Sequence, residues 1–427
     1  MTQPVPFLSL LYFFERPVKK EPTVKIRSRL ITIPIILLSL SFSSCSTTYL
    51  GRYISWNQPD IYDYQNFPAR SVKTGPATYE FSTSREAEQD FLNTVVSIRY
   101  RTETGIKEQS LEHVLETNET TVFLVIQNDT VLYEKYFNGF SRESVCTSFS
   151  ISKSLTSALI GIAIEDGLIG SLDDPVTEYI PELKDRGMDT ITIRHLLTMS
   201  SGLRHDFTNA LWSDAAKSYF SPDLRKNALR KIKVIEEPDR HFTYNNCHTQ
   251  LLGMILERTS GMTVSAYMEE KLWIPLETEF PAAWSLDSEK SGFETMAMGF
   301  NARPLDFARF GRLYLNGGNW NGNRIINPEW IRESTETDSN RYGIEGYYPD
   351  DTENVFGEYF GTLDGYYSYS WWGYRIDETR YDFFAFGILG QYIYICPEKN
   401  LLILRFGEGY GDVYWWPEVL KDISDRL

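Results

Sequence analysis

Cysteine and histidine are scarce in this chain of 427 residues, four of one and five of the other. Four cysteines without close spacing exclude both a disulfide framework and a thiolate zinc site. The histidines show no H-x-x-x-H or H-E-x-x-H spacing, so no metal or other cofactor is expected. Positive charge is also in deficit. Forty-two basic against fifty-eight acidic residues leave a net −16, which argues against a nucleic-acid surface. The conspicuous apolar run, Leu30 to Phe42, is shorter than the ~20 residues of a membrane span and contains Pro34. With 42% hydrophobic and 23% charged residues, the chain is neither collagenous, coiled coil nor mainly disordered. What it has in excess is aromatic side chains, 27 Tyr and 10 Trp among them. Some are expected to line a cleft.

Lys25-Ile-Arg-Ser-Arg29 precedes the apolar run, and Ser43-Ser44-Cys45 follows it. A basic segment, a short apolar segment and then small residues read as an export signal over residues 1–44. The small residues before Cys45 resemble the lipobox of bacterial lipoproteins, although Phe42 stands where Leu is usual. That resemblance implies lipidation of Cys45 and a protein anchored in the bacterial cell envelope, in the periplasm or at the outer membrane. Without the signal, thirty-six basic and fifty-six acidic residues remain, a net −20. So acidic a body is repelled by anionic lipid, and attachment falls to the lipid on Cys45. Cys146, Cys247 and Cys396 are then left, and the sequence selects no pair among them.

Residues 45–85 are polar and rich in Tyr, Pro, Ser and Thr, and read as a tether and irregular lead-in. Helical periodicity starts near Arg85 and runs to Ile98. Thr121 to Phe140 reads as a hairpin about Asn128-Asp129. Ser150 to Ile169 is a strong helical pattern, with Leu155, Leu159 and Ile162 on its apolar side. From about 170 to 330 the signal is helical, including Thr192–Met199 and His248–Thr259. Trp371–Ile376, Tyr381–Phe386, Gln391–Ile395 and Leu401–Phe406 are four short strands, closed by a helix over Glu418–Arg426. The expected fold is α+β, an α/β sandwich: one antiparallel sheet from N- and C-terminal strands, flanked by helices, with an inserted helical lobe. A single hydrolase-sized domain would span 86–427.

Three segments carry chemistry. Ser150-Ile-Ser-Lys153 opens the long helix, so the two side chains share a face one turn apart. Lysine takes a serine proton if burial disfavours its own charge, and the helix N-terminus favours negative charge at the serine. Ser-x-x-Lys occurs once in the chain, although alone it also suits an ordinary polar helix start. Tyr244-Asn-Asn246 lies at a loop entering the next long helix. A tyrosine there can pass a proton to a leaving group, and an asparagine amide can hold a substrate carbonyl. Tyr-x-Asn also occurs at Tyr64, Tyr136 and Tyr314, so position rather than pattern favours Tyr244. The third segment, Phe386-Gly-Ile-Leu-Gly-Gln-Tyr392, is read as a strand whose glycines admit a close neighbour. Lys73-Thr-Gly75 precedes the serine, in the lead-in, and is set aside.

In this order the three segments resemble the serine β-lactamase and penicillin-binding protein superfamily, whose first box is Ser-x-x-Lys. Leu168–Val176, Ile191–Gly202 and Ala308–Gly318 are similar to its class C β-lactamase and esterase branch. Tyr369–Trp372 and Gly390–Pro397 look most like 6-aminohexanoate-dimer hydrolases. The resemblance implies Ser150 as acylated nucleophile, Lys153 as its activator, Tyr244 as acid/base partner and Asn246 as substrate-orienting amide. It places the oxyanion hole at the N–H groups of Ser150 and of Gln391, after the box glycine Gly390. The family usually has Lys or His two residues before that glycine; here Ile388 occupies the position. Arg375 and Arg405 are the basic residues on neighbouring strands that could replace the missing cation, while Trp212 and Tyr366–Trp372 offer apolar walls. A neutral carboxylic ester or amide is therefore the expected small-molecule substrate. The alternatives are a β-lactamase or D-alanyl-D-alanine peptidase, and a non-hydrolytic binding or sensing module of the same fold.

Overall fold

The computed structural model describes residues 47–336 and 364–427, except positions 207, 209 and 231. The expected signal over 1–44 and Cys45 lie outside the described residues. The main sheet has eight strands. They are β1 (Ser82–Thr83), β2 (Thr120–Gln127), β3 (Thr130–Tyr136), β4 (Asp364–Ser368), β5 (Trp371–Arg375), β6 (Tyr381–Gly387), β7 (Gln391–Cys396) and β8 (Leu401–Gly407). Across the sheet the order is β4-β5-β6-β7-β8-β2-β3-β1. The C-terminal strands thus join the N-terminal hairpin where β8 pairs antiparallel with β2. The two-residue edge strand β1 departs from the expected pattern and runs parallel to β3. At the hairpin turn, Asn128 and Asp129 have φ of 50° and 59°, a left-handed pair that Asn and Asp tolerate.

Alternation along each strand feeds two cores. Val122, Leu124, Ile393, Ile395, Leu402 and Leu404 point into one. Phe123, Val125, Tyr392, Tyr394, Leu401 and Ile403 point into the other. The helices used below are α1 (Tyr49–Trp56), α2 (Ile151–Glu165), α3 (Asp214–Phe220), α4 (Asn246–Ser260), α5 (Pro304–Leu315) and α6 (Trp416–Arg426). The first core lies under α2, α4 and α5, through residues such as Leu155, Ile255 and Phe310. The second is covered by α6, through Val419, Leu420 and Ile423. Burial on α2 is not one-sided: every residue from Ile151 to Ala163 is buried. Its polar groups are bonded in place, Ser154 Oγ to the Ser370 carbonyl and Thr156 Oγ1 to the Ser152 carbonyl.

Ala282–Ser285 and Phe300–Ala302 of the mostly helical lobe join Ala69–Val72 and Cys146–Thr147 in a second, four-stranded sheet. Strands of two to four residues show no periodicity to read. Two expectations need correction. Residues 49–72 are no tether. They supply α1 and one of those strands, and α1 is pinned by the buried Arg52, which donates to the Asp287 carbonyl at 2.6 Å. Finally, the helix from Arg85 ends at Thr94, and Ser97–Thr102 pairs with Gly105–Ser110. There Ile98 and Tyr100 alternate with Arg99 and Arg101, a strand period.

Candidate active site

Ser150 caps α2 at its N-terminus. The preceding residue, buried Phe149, has φ of 43°, a conformation costly to a residue with a side chain and retained only where packing enforces it. It bends the chain so that the serine heads the helix, where the first N–H groups lack intrahelical partners. One turn on, Lys153 Nζ lies 2.9 Å from Ser150 Oγ and donates to the Ala297 carbonyl, also at 2.9 Å. Lys153 is 1% exposed. Burial, offset by no carboxylate, pushes its ammonium well below the usual lysine value. The result is an amine whose charged form is disfavoured, held against a hydroxyl.

Tyr244 completes this group. Its hydroxyl is hydrogen-bonded to Ser150, and burial raises the phenol well above its usual value, so it keeps its proton. Lys153 Nζ stands 4.9 Å from its ring centroid. Two aromatic walls flank it, Tyr367 at 6.1 Å and Trp372 at 5.6 Å. Trp212 instead stacks on Tyr49 of α1 at 5.1 Å. Asn246 sits half-buried on the first turn of α4, its amide donating to Ser218 Oγ at 2.8 Å.

Sequence reasoning missed what fixes the Tyr244 loop. Met199, at φ 59°, accepts from Thr243 N through its carbonyl at 2.7 Å and from Asn245 N through its sulfur at 3.4 Å. Both neighbours of the tyrosine are thereby held. Beneath them His248 lies 2.9 Å from Met199 Sδ and 2.6 Å from Ser201 Oγ. The sequence signal for it lies in Ile191–Gly202, the segment that carries Met199 and Ser201.

The third segment is a hairpin rather than a strand. Gly387 pairs with Gln391, and Ile388-Leu389-Gly390 turn between β6 and β7, with φ of 61° at Leu389 and 78° at Gly390. The glycine at the serine loop is Gly387, where an added Cβ would collide with the Ser148 carbonyl and come within 3.1 Å of Phe149 Cβ. A Cβ on Gly390 would meet Arg405 and the Gly409 carbonyl instead. Gln391 is also occupied inside the hairpin: its amide donates to Leu389 O and Gly407 O, each at 2.8 Å. Gly387, rather than Gly390, is thus the glycine that borders the serine loop, and Ile388 is the residue that follows it. Two places before Gly387 stands buried Ala385, so the position still carries no cation.

Neither arginine replaces it. Arg405 is fully buried and donates to Gly390 O at 2.7 Å, Asn118 O at 2.6 Å, Gly409 O at 3.0 Å and Thr120 Oγ1 at 3.1 Å. Its guanidinium stacks 3.9 Å over Trp416, and burial lowers its pKa to about 9. Arg375 pairs with Tyr381 at the far end of β6, ~20 Å along the strand from Gly387. The three remaining cysteines are free.

A buried amine, a serine at a helix start, a protonated phenol and a glycine edge form a site suited to acyl transfer. Comparison with known proteins agrees with that geometry: the Beta-lactamase family model matches residues 112–407. The chain belongs to the beta-lactamase family. It is a serine hydrolase of that family. A 6-aminohexanoate-dimer hydrolase from Paenarthrobacter ureafaciens is 27% identical over 322 residues, covering 72% of this chain and 76% of the relative. Among solved structures, a Bacillus anthracis protein assigned as a 6-aminohexanoate-dimer hydrolase matches with a TM-score of 0.71 at 22% identity. That match covers 87% of this chain and 93% of the other. An octameric penicillin-binding protein homologue from Pyrococcus abyssi matches at 0.53 and 19% identity, covering 77% and 74%. The two structural likenesses speak for the fold.

Proposed function

We propose that this beta-lactamase-family protein hydrolyses neutral carboxylic esters or amides through an acyl-enzyme on Ser150. Neutral Lys153 takes the Ser150 proton as Oγ attacks the substrate carbonyl carbon. The developing oxyanion is held by the N–H groups of Ser150 and Ile388, the latter replacing Gln391 in this role. Tyr244 delivers a proton to the departing alkoxide or amine and is reprotonated from Lys153. Water then attacks the acyl carbon by the same route in reverse, releasing the acid and restoring Ser150. Asn246, held by Ser218, orients the substrate. The observation that carries this reading is the buried, carboxylate-free Lys153 amine 2.9 Å from Ser150 Oγ.

Neutral substrates are favoured because neither Ala385 nor Ile388 supplies a cation and Arg405 is consumed by four oxygen acceptors. A penicillin carboxylate left unpaired in the cleft would cost several kcal/mol. Ser150→Ala tests the assignment. It should lower hydrolysis of an activated ester by roughly 10^4-fold, and near-normal turnover would refute it. Export and lipidation on Cys45 belong to the same proposal. Cys45→Ser should leave the protein unprocessed or release it from the membrane fraction; unchanged processing and attachment would refute the anchor.

A further inference from the structure

We propose that α1 and Trp212 form a seat for a lipid bilayer, which brings the Ser150 cleft to the membrane surface and selects acyl esters or amides of membrane-borne amphiphiles. This rests on the lipidated-hydrolase reading above. The helix Tyr-Leu-Gly-Arg-Tyr-Ile-Ser-Trp is apolar on both sides. Inward, Tyr53 packs on Phe220 at 5.3 Å, Trp56 on Phe67 at 4.7 Å, and Arg52 is buried with its guanidinium 4.9 Å from the Trp56 ring. Outward, Leu50 and Ile54, one turn apart, are 45% and 72% exposed. Tyr49 extends this face by stacking on Trp212, itself 59% exposed. A surface helix with apolar residues on both faces is incompletely covered by its own chain.

The bilayer is the occupant that the chain itself indicates. Tyr49 stands four positions after Cys45, a reach of at most ~14 Å. Acyl chains on Cys45 would therefore hold α1 at the lipid surface. Trp and Tyr rings favour that boundary, and the mature net charge of −20 steers the contact toward zwitterionic rather than anionic lipid. The inward side of α1 explains why the seat matters for chemistry. The same cluster contains Phe149 before the serine, Ile388 and Leu389 of the hairpin turn, and Met298 beside the Ala297 carbonyl. The serine loop and the hairpin turn therefore share a packed cluster with the helix that would rest on the bilayer, which keeps the site close to the lipid surface.

The test uses the full chain, expressed in a bacterium that processes lipoproteins, with Ile54→Cys carrying an environment-sensitive fluorophore and Cys247→Ser removing the partly exposed thiol. The labelled protein is reconstituted into phosphatidylcholine vesicles with and without a quencher-bearing lipid. Quenching at position 54 is expected, and a soluble ester is assayed in parallel. In unlabelled protein, the triple variant Leu50→Ser, Ile54→Ser and Trp212→Ser should lose about 10-fold on a vesicle-embedded long-chain ester and under about 2-fold on soluble p-nitrophenyl acetate. An unquenched probe overturns the seat, whether the protein is membrane-bound or released. So does an equal loss on both esters. Quenching in a protein that cleaves neither ester would uphold the seat and count against the hydrolase reading, so the two failures are separable.

Discussion

Replacing Lys153 by methionine probes activity and stability through one atom. A lysine with the ordinary pKa of ~10.4 is neutral in about one molecule in 2,500 at pH 7, too few to serve as a ready base. Burial at 1% exposure without a carboxylate partner depresses that pKa. Folding therefore releases a proton wherever pH lies between the folded and the unfolded pKa. In that window the unfolded chain binds one more proton, so stability rises with pH by ~1.4 kcal/mol per unit. Below the folded pKa and above the unfolded one this contribution is flat. Lys153→Met keeps most of the buried volume and removes the titration. Its kcat/KM on a neutral ester should fall by about 10^4, or ~5.5 kcal/mol of transition-state stabilisation. Denaturant midpoints across pH 6–10 should show the extra upward slope in the wild type and not in the variant. Parallel stability curves would mean that Lys153 titrates as an ordinary lysine, and the neutral-base argument would fall.

Gly387→Ala drives a methyl into the Ser148 carbonyl and should lower both Tm and ester turnover. The loss of turnover should persist well below the variant's Tm, and normal activity there would contradict a role for Gly387, rather than Gly390, beside the serine. Short neutral esters should exceed benzylpenicillin by at least ~100-fold in kcat/KM, and efficient penicillin hydrolysis would reverse the ranking of substrates. Met199→Leu removes the sulfur that accepts from Asn245 N, so kcat should fall more than KM rises. Equal changes in both would make the loop merely structural.

Long periodic elements were legible in the sequence. The strands from Trp371 to Phe406, the hairpin at Asn128-Asp129 and the helix after Ser150 all appear, because each repeats its pattern over several residues. Ser150, Lys153 and Tyr244 were readable because they sit at helix entries, and the structure brings the three together. The third segment misled because it holds two glycines three residues apart. Only the close approach of Gly387 to Ser148 and Phe149 shows which of them abuts the serine loop. The role of α1 was hidden for another reason: its eight residues are apolar toward Phe220 and Phe67, partners far away in the chain. The four-stranded second sheet was equally silent, being assembled from short pieces, two of which pair across more than two hundred residues.

The central claim is that Ser150 is acylated with Lys153 as its base. The most direct measurement treats the intact full-length protein with a fluorophosphonate and maps the adduct by peptide mass spectrometry. One adduct is predicted, on the peptide carrying Ser150, formed at a rate that falls together with esterase activity in Lys153→Met. An adduct on another serine, or ester hydrolysis that survives complete labelling of Ser150, would contradict it.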